Sequence, residues 1–432
     1  MAEGKPFATP HRDRFLLLVS TPEQIEELAV ESTRKHSKLS SQGIMVDTLN
    51  PEFTLNAKKE DPAGFIAPNL LKHKIRKHLS SMYLPMRWTV EDAFRKEMKG
   101  KPLGDGWSRV PLCYVANRIT ARMNNLLLVG ENLASNPTFF ESSIQFVTDA
   151  TITLAFFNHI PKILYRPISF MTMNWSGGRS KAKSLLMSEI SKRRSESSEE
   201  QGLYKDCMQW VIESSRDKST EYIARQLLSL TLGGAHQQPM FAAFVLYNLC
   251  LHSEYIETLR AEIHTIRDNE FDKLNNGTPY LDSFLREVGR LNPLTNIALP
   301  RKVMSPFTFA DGTYVPKHNW ICVPHTPLMT LPNAYSNPET FQGFRFVDTE
   351  GNRSTSRFWD MSREFPFWGN PKTGCPARYF VSLNMKMMAI HFLESYDFRV
   401  AKQAIRPTFS YHVLEMPHPL LAIEIRARKP EA

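Results

Sequence analysis

The sequence predicts a mainly α-helical protein with small β-sheets, and three observations predict it. From about Leu79 to Leu251 the apolar residues recur at helical spacing, with few β-rich runs. After one more helix, from Tyr280 to Leu291, the texture changes to short strands around Lys302–Phe309 and Trp320–Val323, with a turn at Asp311-Gly312. The 432 residues contain no internal repeat and no Gly/Ser-rich or Pro-rich linker at which to divide them, so one domain over residues 1–432 is expected.

The balance of 42% hydrophobic and 22% charged residues is that of a globular chain with ample core, and excludes disordered, fibrous and disulfide-stapled classes. A net charge of +9 raises the question of nucleic acid, yet the basic residues are scattered without an aromatic-interleaved stripe, so no nucleic-acid partner is expected. A positive patch that docks an acidic protein is the better reading. Cys113, Cys207, Cys250, Cys322 and Cys375 are an odd, widely spaced set without zinc spacing, which points to a reducing compartment. The N-terminal apolar run, Phe15 to Val19, is too short to span a bilayer, so a cytoplasmic chain without a membrane anchor is expected.

Taken in order, Arg14 to Ser20 reads as a strand. A helix follows from Thr21, where Thr21-Pro22-Glu23 combines an N-cap, a proline at the first helical position and an acidic first turn. The charge run Arg179 to Gln201 reads as a solvated helix end and loop. The longest helical stretch, Thr220 to about Cys250, is interrupted by Gly233-Gly234 and by Pro239, which lacks a backbone donor and should loosen the turn before it.

The chemistry concentrates at Phe367-Trp368-Gly369-Asn370-Pro371-Lys372-Thr373-Gly374-Cys375-Pro376-Ala377-Arg378-Tyr379-Phe380, a loop running into the apolar positions Val381, Leu383, Met387, Met388 and Ile390. Proline after the cysteine suits a first helical position, which puts Cys375 at the N-cap. There the free amides and the positive end of the dipole favour a thiolate, the form that ligates iron. Taken alone, the loop also fits a buried, inert cysteine.

Two further features precede it. Glu287-x-x-Arg290 places an acid and a base on one helix face, as do Glu31/Arg34, Glu213/Arg216, Glu257/Arg260 and Glu350/Arg353. The pair at Glu287 is singled out because Asn337-Pro338-Glu339-Thr340-Phe341-Gln342-Gly343-Phe344-Arg345-Phe346 follows it, and then the cysteine loop. Upstream lies the broken helix Thr231-Leu232-Gly233-Gly234-Ala235-His236-Gln237-Gln238, whose small residues Gly234 and Ala235 permit close approach of a flat ligand.

In this order the features resemble the cytochrome P-450 family, from about Lys5 to Arg428. They are most similar to fungal members of secondary metabolism, through Gly234-Ala235-His236, Arg290-Leu291-Asn292-Pro293 and Asp311-Gly312-Thr313-Tyr314-Val315-Pro316-Lys317. The resemblance implies the cytochrome P-450 fold and a haem whose iron is held by Cys375. It implies a structural cluster of Glu287, Arg290 and Arg345, and a distal helix at Gly234 and Ala235. Arg301, after the Glu287 helix, and Lys372 are the cations left to pair a haem propionate. Ile297, Ala298 and Leu299 become candidate pocket residues. Fungal members normally begin with a membrane helix, which would place the chain at the endoplasmic reticulum.

The pattern departs from the family at Trp368 for phenylalanine, Pro371 and Ala377 for glycines, and Thr373 for the basic residue that pairs a propionate. Losing that contact weakens retention by about 1.5 to 3 kcal/mol. The distal acid-or-His followed by threonine reads His236-Gln237-Gln238, so His236 and Gln237 carry the expected proton handling, although an amide orients water without titrating. The expected function is a haem-thiolate oxidase or monooxygenase acting on an apolar secondary metabolite, supplied with electrons by NADPH-cytochrome P-450 reductase. A redox-neutral isomerase or cyclase on the same fold and a non-catalytic binding protein are the rivals.

Overall fold

Thr21 caps the first helix, α1 (Pro22–Glu31): its hydroxyl accepts the Gln24 amide at 3.2 Å, and Pro22 occupies the first turn, where no amide is needed. The computed structural model describes residues 5–32, 37–57, 66–266, 270–348, 350 and 355–428. Before α1, strands β1 (Phe7–His11) and β2 (Arg14–Leu18) pair antiparallel. After it come β3 (Leu39–Ser40), the long helix α2 (Ile66–Glu97), and a hairpin of β4 (Lys101–Gly104) and β5 (Trp107–Pro111). That hairpin is a β element within a half expected to be nearly all helix.

Helices α3 (Leu112–Ala134), α4 (Pro137–Phe157), α5 (Gly178–Ser195), α6 (Thr220–Gly234), α7 (Gln237–Leu251) and α8 (Pro279–Leu291) follow, with short helical turns between some of them. Then come β6 (Ile297–Val303), β7 (Trp320–Pro324), α9 (Arg378–Ser395), β8 (Tyr396–Val400) and β9 (Ala422–Ala427). One sheet has the order β1-β2-β7-β6-β3 and another β8-β9-β5-β4. Helices α2, α3, α7 and α9 pack together around a shared apolar core that includes Phe94, Ile119, Met123, Ala243, Leu246, Leu383 and Ala389, all fully buried. A large apolar side chain buried this way contributes about 1.5–3 kcal/mol.

The charge run near residue 190 is not solvated throughout. Arg193 on α5 is 1% exposed; its Nη1 donates to both carboxylate oxygens of Asp206 at 2.8 and 2.9 Å, while Nη2 donates to the Val129 carbonyl. The kink of α3 at Gly130 (φ 74°) admits this pair, because a Cβ there would overlap the Asp206 carboxylate. Ala298 and Leu299 are 4% and 6% exposed and pack with Val19, Leu28 and Ile321 beneath α1, and Leu299 also lines a cavity between α1 and the loop 369–371, whereas Ile297 packs with Leu16, Trp320 and Cys322. The neighbours Ala298 and Leu299 share one layer because the β6–β7 register shifts between Ala298 and Arg301 and Leu299 is left-handed (φ 51°), which breaks the strict alternation of a strand.

Candidate functional site

Helix α8 carries the first element of the site. The Glu287 carboxylate, fully buried, accepts from Arg290 Nε at 2.7 Å, Arg290 Nη2 at 2.8 Å, Arg345 Nε at 3.1 Å and the Gln342 amide at 2.9 Å. Arg290 also donates to the carbonyls of Met329 and Pro338, and Arg345 to those of Ser336 and Thr340. Two guanidinium groups thus share one carboxylate and spend their remaining donors on a loop. This turns a costly burial of charge into a clamp on residues 336–345. Of the competing pairs, Glu257–Arg260 lies 3.4 Å apart with Glu257 in solvent, and Glu213 approaches Lys74 at 3.5 Å. Arg34 and Arg353 lie outside the described residues.

The cysteine loop is organised by Asn370, which none of the sequence motifs singles out. Its buried Oδ1 accepts from the Lys372 amide (2.9 Å), the Thr373 amide (2.8 Å) and the Thr373 hydroxyl (3.1 Å). A local signal exists: asparagine followed by proline and a polar pair is an Asx-turn composition. The Cys375 amide donates to the Trp368 carbonyl at 2.6 Å, and the Trp368 indole to the Phe358 carbonyl at 2.7 Å. At Gly374 a Cβ would overlap the Met361 sulfur.

Cys375 is not the N-cap. Helix α9 starts at Arg378 with Ala377 as its N-cap, and Pro376-Ala377 form a turn. The turn brings the Ala377 and Arg378 amides onto the cysteine, so the electrostatic argument survives two residues further along. Burial pushes the thiol pKa up from its ordinary value, against those two amides and the Arg378 guanidinium. Arg378 Nη1 donates to the Cys375 carbonyl at 3.0 Å, and its guanidinium lies 4.3 Å from the centre of the Tyr379 ring.

Arg301 reaches this loop from β6. The β6–β7 register shifts between Ala298 and Arg301, and Leu299 is left-handed (φ 51°), a bulge that re-aims the arginine. Its Nη2 donates to the Thr373 hydroxyl at 2.6 Å, Nε to the Ser32 hydroxyl at 2.7 Å and Nη1 to the Pro300 carbonyl. Only 4% exposed, it pairs with no carboxylate among the described residues, and burial lowers its pKa to about 10. Lys372, by contrast, is committed to Glu26 at 2.7 Å.

The distal stretch is two helices rather than one kinked helix. α6 ends at Gly234, α7 begins at Gln237, and Pro239 sits in the first turn of α7, where it starts a helix instead of loosening one. Gly233 faces open space: a Cβ at that position would have no neighbouring atom within 4 Å, whereas a Cβ at Gly234 would touch Asn124 of α3 at 3.6 Å. Gly233 is exposed, and Gly234 and Ala235 are half-buried at the break. His236 is half-buried, and burial lowers its imidazole pKa. Gln237 is exposed, and Gln238 is 6% exposed with its amide nitrogen unpartnered among the described residues.

The cytochrome P450 family profile matches residues 81–423. The chain belongs to this family. The chain is 28% identical over 384 residues to cytochrome P450 monooxygenase olcJ of Penicillium canescens, covering 85% of this chain and 72% of that protein. It is 26% identical to cytochrome P450 monooxygenase 71 of Postia placenta, covering 93% and 82%. Similarity to the monooxygenase terQ of Tolypocladium album reaches 30% over 321 residues, covering 70% and 56%. Among solved structures, the haem domain of a cytochrome P450DA mutant superposes with a TM-score of 0.76 at 16% identity over 100% of this chain and 91% of that one. Retinoic acid-bound cyanobacterial CYP120A1 gives 0.72 at 18% identity over 98% and 92%.

As a P450 monooxygenase this protein takes a haem iron with a thiolate ligand. The residues present fit that group. Arg301 is a buried cation that a propionate would neutralise, and Cys375 is a sulfur met by two amides. No helix among the described residues is long and apolar enough to cross a membrane.

Proposed function

We propose that the protein oxidises an apolar secondary metabolite, a terpenoid, polyketide or alkaloid, with Cys375 as the iron ligand. The observation that carries this reading is the Cys375 sulfur facing the Ala377 and Arg378 amides, on a loop tied to a buried Arg301. The haem, when bound, supplies the oxygen chemistry. The chain's part would be to hold it: Cys375 would ligate the iron and lend it electron density, Arg301 would pair a propionate, and Asn370 fixes the loop that carries the ligand. Glu287, Arg290 and Arg345 brace the segment beneath.

NADPH-cytochrome P-450 reductase is the proposed electron donor. Lys72, Arg76 and Lys77 are exposed on α2, and the Arg76 guanidinium lies 5.1 Å from the centre of the Tyr379 ring on the ligand helix, a basic stretch for an acidic partner.

The reduced carbonyl complex should show the strongly red-shifted Soret band of thiolate ligation, lost in Cys375→Ala. The same band in the variant removes Cys375 from the role. Because His236-Gln237-Gln238 replaces the family's proton-delivering pair, a redox-neutral isomerase is the second reading. Product formed anaerobically without NADPH selects the isomerase; strict dependence on both oxygen and NADPH selects the oxidase.

A further inference from the structure

Three imidazoles from three separate segments meet at the surface beyond the end of α4. His11 closes β1, His159 follows α4, and His412 stands at the tip of a hairpin formed by Thr408–Tyr411 and Leu414–Pro417. Centre to centre, the His412 ring lies 6.4 Å from that of His11 and 6.1 Å from that of His159. Arg12, next to His11, is left-handed (φ 56°) and exposed at the β1–β2 turn. Its guanidinium has no hydrogen-bond or ion-pair partner among the described residues, and the ring nitrogens of His11 and His412 have no hydrogen-bond partner among them either.

Positive groups gathered in this way lack a counter-charge. Among the described residues the carboxylate that acts on both His11 and Arg12 is Asp13, and it is already shared between Lys162 at 2.7 Å and Arg14 at 3.0 Å. Burial, followed by Arg12 and His412, holds the His11 imidazole below its ordinary pKa. Two phenols complete the surroundings. Tyr165 acts on Arg12, and the Tyr411 hydroxyl takes a hydrogen bond from Asn158 Nδ2 at 3.2 Å and meets His159 Nε2 at 3.2 Å. A phenol brings a hydroxyl but no negative charge near neutrality.

We propose that His11, Arg12, His159 and His412 form a binding site for a phosphate group. Rings at this spacing can each donate to a different oxygen of one tetrahedral anion, across charge-assisted hydrogen bonds of about 2.8 Å, whereas a planar carboxylate offers only two oxygens. The guanidinium supplies a permanent charge, and each imidazole adds one when it takes a proton. A phosphate held there ties the end of α4 to the β1–β2 turn and to the hairpin, which itself pairs with Thr295 and Asn296 ahead of β6. Two sources share this chemistry: free inorganic phosphate and the phosphomonoester headgroup of a lipid. The site does not depend on the haem-thiolate reading.

The test titrates the haem-loaded protein with sodium phosphate in a calorimeter at about pH 6.5, with ionic strength held constant by sodium chloride. Arg12→Asn and His412→Asn are compared with it, since asparagine tolerates the left-handed backbone at both positions (φ 56° and 53°). Wild type should bind phosphate saturably, Arg12→Asn about tenfold more weakly and His412→Asn about threefold more weakly. Sulfate keeps its charge between about pH 6.0 and 7.5, so each imidazole that takes a proton over that range should strengthen sulfate binding by about eightfold toward the acid end. Flotation with phosphatidylcholine vesicles, with and without phosphatidic acid, separates the sources. Capture by phosphatidic acid that both variants weaken assigns the headgroup; phosphate binding in solution that both variants weaken, without vesicle capture, assigns the free anion. No saturable binding in either format, equal affinity in wild type and the two variants, or sulfate affinity independent of pH overturns the site.

Discussion

Arg301 and Thr373, 72 residues apart in the chain, are joined by a 2.6 Å hydrogen bond from the guanidinium Nη2 to the threonine hydroxyl. Where the family pattern has a second cation, this protein has a hydroxyl that aims the first. With Ser32 on Nε, the guanidinium is held from two sides without a carboxylate.

Arg301→Leu should weaken haem retention by about 1.5–3 kcal/mol, the worth of a charge-assisted contact, and Thr373→Val by about 0.5–1.5 kcal/mol through lost aim. Transfer of haem to excess apomyoglobin measures both. Equal loss rates in wild type and Arg301→Leu would remove the arginine from haem binding.

Glu287→Gln keeps the shape of the side chain but leaves Arg290 and Arg345 buried around a neutral group. A loss of about 3–5 kcal/mol is expected, enough to unfold a marginal domain. Urea denaturation followed by circular dichroism reads it, and an unchanged midpoint would mean that the cluster does not brace the fold.

Arg193→Met should destabilise by about 3 kcal/mol, because Asp206 is left buried without its cation, with burial already raising its carboxyl pKa. Arg193→Met combined with Asp206→Leu should recover most of the loss. A double variant no better than the single would show that the partnership is not what matters.

His325 is 3% exposed, and burial pushes its imidazole down to about 4, although Nδ1 approaches the Thr295 carbonyl at 3.0 Å. The folded pKa is depressed, so the unfolded chain binds more protons between about pH 4 and 6.5. Stability from this residue is therefore present above 6.5 and lost as pH falls toward 4. Between pH 6.5 and 5 the loss should be about 1.5 kcal/mol, and His325→Gln should flatten the profile there. Parallel profiles would assign the acid sensitivity elsewhere.

Long helices are legible in the sequence because burial imposes their periodicity. The β4–β5 hairpin is not, since β4 is exposed along its whole length and offers no alternation; its one signal, Asp105-Gly106, sits inside a helix-rich region. Arg193 reads as a surface residue because its partner Asp206 lies 13 residues away, beyond the reach of spacing arguments along one helix. Glu287, Arg290 and Arg345 can be grouped from motif order, whereas Asn370 acts only on its own loop and leaves no long-range pattern. The register of Cys375 against α9 differs by two residues from the expected one because a proline that suits a first helical position suits a turn equally well.

The Asn370-Pro371 bond also bears on how the protein ages. Asparagine deamidates when the nitrogen of the next residue attacks the side-chain carbonyl, and an Asn-Gly pair does so readily. Proline's nitrogen has no hydrogen to lose. With the family's glycine at position 371, the one oxygen that gathers the Lys372 and Thr373 amides and the Thr373 hydroxyl would sit in that labile pair. Pro371, a departure when judged as a haem-loop residue, gives the loop chemical durability.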